Sequence, residues 1–105
     1  MSDAAEKARA TAVVMALATL GNAVHIYDNG AEAIAVTGYI EQEGEPFGGE
    51  VTVSDLHFIA TLLVDEVGQP KRGDTITDEA SKVWILREER PNDDPWTTDW
   101  VVQPQ

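Results

Sequence analysis

The chain has no cysteine, and from residue 10 to residue 70 it has neither lysine nor arginine. The first absence excludes disulfides and thiolate metal sites, and gives no sign of an oxidising compartment. The second matters because 19 acidic residues against 7 basic ones leave a net charge of −12. Such a chain has little means of binding DNA or anionic lipid by displacing their counterions. Long apolar runs are missing too: no window reaches the length of a membrane span, and Asp3 and Glu6 stand where a secretory leader needs cations. The expectation is a soluble, intracellular protein. With 105 residues, 43% hydrophobic content and three Trp, there is material for one core and one domain.

What is present changes period along the chain. Asp3 and Glu6 fit the spacing of a helix capping box, and residues 8–20 are good helix formers with Ala10, Val13, Val14, Leu17 and Leu20 on one stripe. Gly21 and Asn22 supply a stop. The small apolar face of this helix suits close packing on a sheet or on a neighbouring subunit. From Ala23 the period becomes two: Val24, Ile26 and Asp28 alternate with His25 and Tyr27, Asn29-Gly30 predicts a type I′ turn, and Ile34, Val36, Gly38 and Ile40 alternate on the return strand. Gly38 inside that strand predicts a bulge or sharp bend of the kind that closes a small barrel.

Residues 41–52 lose the period. Glu41, Glu43, Glu45 and Glu50 share the stretch with three glycines and a proline, which predicts a mobile acidic loop with Phe47 as its apolar anchor, ordering only when neighbours arrive. Residues 56–64 then read as a strand buried on both faces, Asp65-Glu66-Val67 as an acidic turn, and Gly73-Asp74 as a hairpin reversal that starts the next strand. Residues 81–88 form another strand, residues 91–95 a final turn, and residues 96–103 the last strand. The sum is a mainly β fold with an N-terminal α-helix over residues 1–22. Residues 23–105 make a small antiparallel β-barrel or sandwich of about six strands.

Nothing in this pattern spells catalysis. His25 and His57 sit in predicted strands among apolar neighbours, without the companions a metal site or a general base needs. Asp28-Asn29-Gly30 and Asp93-Asp94 lack the spaced acids of a calcium loop and read as turns. Arg72-Gly73-Asp74 matches an adhesion tripeptide, but a turn in which glycine supplies the unusual backbone angles explains it better. No cofactor, metal or enzymatic activity is expected. Trp84, Trp96 and Trp100 read as core and rim residues, and Trp96, beside Pro95, is the one placed at an interface.

The strand over residues 56–64, the Asp65-Glu66-Val67 turn, the Arg72-Gly73-Asp74-Thr75 strand start and the following strand with central Trp84 together resemble the small β-barrel head-tail joining family of tailed bacteriophages. The resemblance covers roughly the last two thirds of the chain. It implies a virion protein, present in the host cytoplasm during assembly, that forms a sixfold ring between the connector of the DNA-filled head and the tail proteins. An acid-rich ring wall would let DNA slide through without sticking. Assembly would then depend on interface residues: Glu43, Glu45, Phe47 and Glu50 in the acidic loop, the cations Lys71, Arg72 and Arg87, and Trp96. Asn29, Gly30, Gly73 and Asp74 would be structural turns. Charge repulsion predicts a monomer in dilute solution.

The charge also fits a different class, an acidic DNA mimic that occupies the basic groove of a nuclease or repressor. A mimic gains affinity from rigidly placed carboxylates, and the densest acid run here is rich in glycine.

Overall fold

A computed structural model describes residues 2–20, 22–43 and 57–105. Helix α1 (Ser2–Leu20) precedes strands β1 (Asn22–Asp28), β2 (Ala33–Glu43) and β3 (His57–Leu63). A single helical turn, α2 (Val64–Val67), leads on to β4 (Thr75–Asp78), β5 (Val83–Arg90) and β6 (Thr97–Pro104). The six strands close into an antiparallel barrel in the order β1-β2-β3-β6-β5-β4. Of the two expected architectures the barrel is therefore the one adopted, and closure leaves no sheet edge open among the described strands.

Period-two patterning fills the barrel. Val36 and Ile40 from β2, Ala60 and Leu62 from β3, Ile76 from β4, Trp84 and Leu86 from β5, and Trp100 and Val102 from β6 form one buried cluster with Val24, Tyr27 and Val67. Val67 reaches it from α2, so the Asp65-Glu66-Val67 segment is a helical plug at one barrel end rather than a simple turn. Phe58 packs on Trp84 with ring centroids 5.0 Å apart, and the Lys82 ammonium covers the Trp84 ring at 4.6 Å. Strand β3 is buried on both faces as expected, since Ile59, Thr61 and Leu63 are covered as well as Ala60 and Leu62.

Helix α1 lies outside the barrel against β2, reaching β1 and β3. It starts at Ser2, so Asp3 belongs to the helix and is not its cap. Only part of the expected stripe is buried. Ala10 and Val14, four residues apart, face the barrel, whereas Val13 is 50% and Leu17 38% exposed. Each residue turns a helix by about 100°, so a helix seated along the line of Ala10 and Val14 carries Val13 and Leu17 round to its flank. The Lys7 ammonium pairs with Asp65 and ties the helix start to α2.

Two bulges around β1 reset its alternation. Val24 pairs with Asp78 but Ile26 with Thr77, so His25 is an extra residue on β1 against β4. The phase flips there: Tyr27 is buried and Ile26 is 41% exposed, the reverse of the alternation expected from Val24 and Ile26. On the other side of β1, Val24 pairs with Gly38 and Ile26 with Ala35, which places the irregularity beside Gly38 as predicted. The backbone N–H of Thr37, in this irregular stretch, donates to Glu66 Oε1 at 2.7 Å, so α2 is pinned to the bulge.

Three turns differ from expectation. The β1–β2 connection spans residues 29–32, with Asp28 opposite Ala33, and Gly30 is at φ +90° while Asn29 keeps a negative φ; a two-residue type I′ turn needs positive φ at both. Asn29 Oδ1 instead accepts from the N–H groups of Ala31 and Glu32, and Asp28 Oδ1 from Gly30. Gly73-Asp74 closes a turn in which Asp74 N–H donates to the Lys71 carbonyl at 3.0 Å with Gly73 at φ +96°. It launches β4, but β4 pairs with β1 and β5, so no hairpin joins it to β3. Residues 41–43, expected in the loop, continue β2, since Glu41, Gln42 and Glu43 pair with Ile59, Phe58 and His57. The rest of the predicted acidic loop, including Glu45, Phe47 and Glu50, lies outside the described residues.

The Tyr27 phenol donates to Asp74 Oδ2 at 2.5 Å and so fastens the turn to the barrel wall. Burial pushes the phenol's pKa well above the ordinary tyrosine value of 10.0, helped by the bond to Asp74 and the nearby Asp74 and Asp28 charges. A folded-state pKa raised in this way contributes stability that is complete below about pH 10 and lost as pH rises through the higher folded value. Tyr27→Phe is expected to cost about 1 kcal/mol at neutral pH. Urea unfolding at pH 7 and pH 11 checks this: the gap between wild type and variant should narrow at the higher pH, where the phenol ionises in the unfolded chain but not in the fold.

Candidate interaction surfaces

One end of the barrel gathers α2, the turn before β4 and the loop between β5 and β6. Residues 92–96 of that loop are built by side chains that accept from backbone: Asn92 Oδ1 from Asp94 N–H at 2.7 Å and Asp94 Oδ1 from Trp96 N–H at 2.9 Å. The Trp96 carbonyl then accepts from Val64 N–H at 3.0 Å, and Asn92 Nδ2 donates to Thr97 Oγ1 at 2.9 Å. Trp96 is held in place by these bonds, in a half-buried position.

A crevice of about 610 Å³ opens between this loop, the first half of α1 and the outer faces of β2, β3 and β6. Its walls carry four carboxylates, from Glu6, Glu41, Asp94 and Asp99, against one guanidinium, Arg9. Tyr39 and Trp96 supply the aromatic surface. Asp99 is positioned by the Thr61 hydroxyl, which donates to its Oδ1 at 2.8 Å. The Trp96 indole Nε1 is buried without a hydrogen-bond partner among the described residues.

The cations expected at an interface lie elsewhere. Lys71 and Arg72 are exposed on the turn before β4, whose geometry is fixed by Lys71 N–H donating to Asp74 Oδ2 at 2.8 Å. Gly73 N–H donates to the Leu86 carbonyl and Leu86 N–H to the Asp74 carbonyl, both at 2.8 Å, so the turn is stitched to β5 beside Arg87. Leu86 pairs with Val102 and Glu88 with Val101, which makes Arg87 the extra residue of a bulge and leaves it exposed. The structure thus brings Lys71, Arg72 and Arg87 to one wall and puts Trp96 on another. In the closed strand order β3 stands three places from β4, and β2 three places from β5, so the crevice is centred across the barrel from the turn, with its β6 edge adjoining β5.

Sequence reasoning missed the crevice. Glu6, Arg9, Glu41, Asp94 and Asp99 come from a helix, two strands and a loop, and no local spacing announces that they meet. Of the expected loop residues, Glu43 ends β2 and the others lie outside the described residues. His25 is exposed in its bulge, and among the described residues no group of three or more His, Asp or Glu is placed to hold a metal ion. No protein-family model matches the chain, and no curated protein is significantly similar to it.

Proposed function

We propose that this protein is a structural component of a tailed-phage virion that joins the DNA-filled head to the tail, assembling as a ring with a negatively charged channel for DNA. The observation that carries the reading is a closed barrel of net charge −12 with a carboxylate-rich crevice centred on β3 and, across the sheet, exposed Lys71, Arg72 and Arg87 set among Asp74, Glu79, Glu88 and Glu89. A closed barrel associates through side chains, and a module that carries exposed cations apart from an acidic crevice is suited to repeat in a closed series. The motifs behind the family resemblance form plug, turn and core of the barrel: Val67 in α2 at one end, the Gly73 turn, and Trp84 in β5, packed on Phe58 at the start of β3. They support a scaffold role and supply no reactive group. Net negative charge lets the duplex pass without being held.

Electron microscopy of heads, tails and whole particles, made with and without this chain, tests the reading. The expected result is a ring at the junction, and tailless heads when the chain is deleted. Tails attached normally in its absence would overturn it. A salt-sensitive one-to-one complex with a basic nuclease, without any ring, would put DNA mimicry in its place.

A further inference from the structure

We infer that copies of this chain meet head to tail, with the Lys71-Arg72 turn of one copy seated in the crevice between α1 and the barrel of the next. This deepens the ring reading and rests on it for what the contact builds.

The crevice is short of cations: Glu6, Glu41, Asp94 and Asp99 outnumber Arg9 four to one. Tyr39 and Trp96 add flat aromatic surface, on which a guanidinium packs while its edge meets carboxylates. On the donor side the turn is already rigid, held by Asp74 N–H to the Lys71 carbonyl, by Gly73 N–H to the Leu86 carbonyl and by the Tyr27 phenol on Asp74. Little ordering entropy is therefore lost when it docks.

Placement decides the occupant. The turn feeds β4 and is bonded to β5, while the crevice is centred on β3 across the closed sheet, so the turn cannot swing into the crevice of its own molecule. A second copy satisfies both. Using one face as donor and a different face as acceptor makes the interface heterologous, the kind that closes into a ring when the rotation allows. Overall like charge weakens the contact at long range, while the local attraction is screened by salt.

A charge swap tests the contact in the full-length protein. One variant, Lys71→Glu/Arg72→Glu, makes the turn acidic; the other, Glu6→Lys/Glu41→Lys, changes two exposed crevice residues to cations. Each is first checked for an unchanged fold by circular dichroism. Association is measured by sedimentation and by the Trp96 indole resonance at protein concentrations on the order of 1 mM, where weak contacts are populated. Wild type should self-associate, and either variant alone should associate roughly tenfold or more weakly, since like charges then face each other. An equimolar mixture should recover association, because each turn then finds a crevice of opposite sign. Wild-type-like association of either variant, a mixture that stays monomeric, or a wild type that never associates would overturn the inference. Rings at the head–tail junction built equally well by both variants would reject this contact and leave the ring reading standing. Charge-swapped association without a ring at the junction would do the opposite.

Discussion

Asp78→Ala is expected to lower the unfolding free energy by about 3 kcal/mol, because it strips the acceptor from several donors at once. Asp78 is 5% exposed at the end of β4. Its Oδ1 accepts from the N–H groups of Ala80 and Lys82, both at 2.9 Å, and its Oδ2 from Trp84 Nε1 at 3.1 Å. The last donor belongs to a core tryptophan 2% exposed, which water does not reach once the carboxylate is gone. The loss is a large share of the 5–15 kcal/mol that holds a typical domain together, and corresponds to a fall in Tm of roughly 10–20 °C for about 100 residues. Asp78→Asn should be milder but still costly. If its oxygen stays on the two amides, its NH2 faces the Trp84 N–H, donor against donor. Denaturant unfolding of the three proteins checks the order; an alanine variant within about 0.5 kcal/mol of wild type would show that the carboxylate is dispensable.

The same bonds give the stability a pH dependence. Burial by itself pushes the Asp78 pKa upward, but hydrogen bonds from Trp84, Lys82 and Ala80 and the Lys82 charge outweigh it and hold the group below its ordinary value of 3.8. A depressed folded-state pKa means that the unfolded chain takes up the proton first. Its contribution is therefore complete above about pH 4, shrinks as pH falls below that value, and is gone once the folded carboxylate is protonated. Wild type and Asp78→Asn should approach one another in stability on acidification, over that window and not around neutrality.

How much of this was legible beforehand depends on which residues are asked. The barrel was written in the alternation of Ile34, Val36 and Ile40 and in the unbroken apolar run of β3, since period two and burial on both faces leave direct traces. Gly38 pointed to an irregularity that the register confirms. Helix α1 was readable as a helix, but its orientation was not: Ala10 and Val14 are no more apolar than Val13 and Leu17, and only the shape of the outer barrel wall selects between the two lines. The Tyr27–Ile26 exchange was hidden because a bulge changes phase without a change in composition. The crevice was hidden for a topological reason. Glu6, Glu41 and Asp99 are brought together by α1 crossing β2 and by β6 returning beside β3, and a pairing order of that kind is not encoded in any one segment.

Gly38→Val should prevent the barrel from closing, and Gly38→Ala should cost about 2–3 kcal/mol, the upper range for overpacking. Gly38 is buried in β2 opposite Leu62 of β3. A Cβ placed there would lie 2.6 Å from the Thr61 carbonyl oxygen and 2.8 Å from Leu62 Cδ2. The leucine can rotate, but the carbonyl is part of the β3 backbone, and β3 is clamped on its far side by pairing with β6 and by the Thr61–Asp99 bond. The chain can relieve the contact only by moving β2 away from β3, which also loosens the seat of α1 on β2. Gly30→Ala is the informative control, because nothing lies within 4 Å of its added Cβ and only the φ of +90° opposes it. Its cost, about 1–2 kcal/mol of backbone strain, should stay in the β1–β2 loop. Amide hydrogen exchange separates the two mechanisms. Gly38→Ala should lose protection along β2 and β3, and Gly30→Ala only near residues 29–32. Wild-type protection in β3 of Gly38→Ala would mean that close approach of these strands does not depend on glycine.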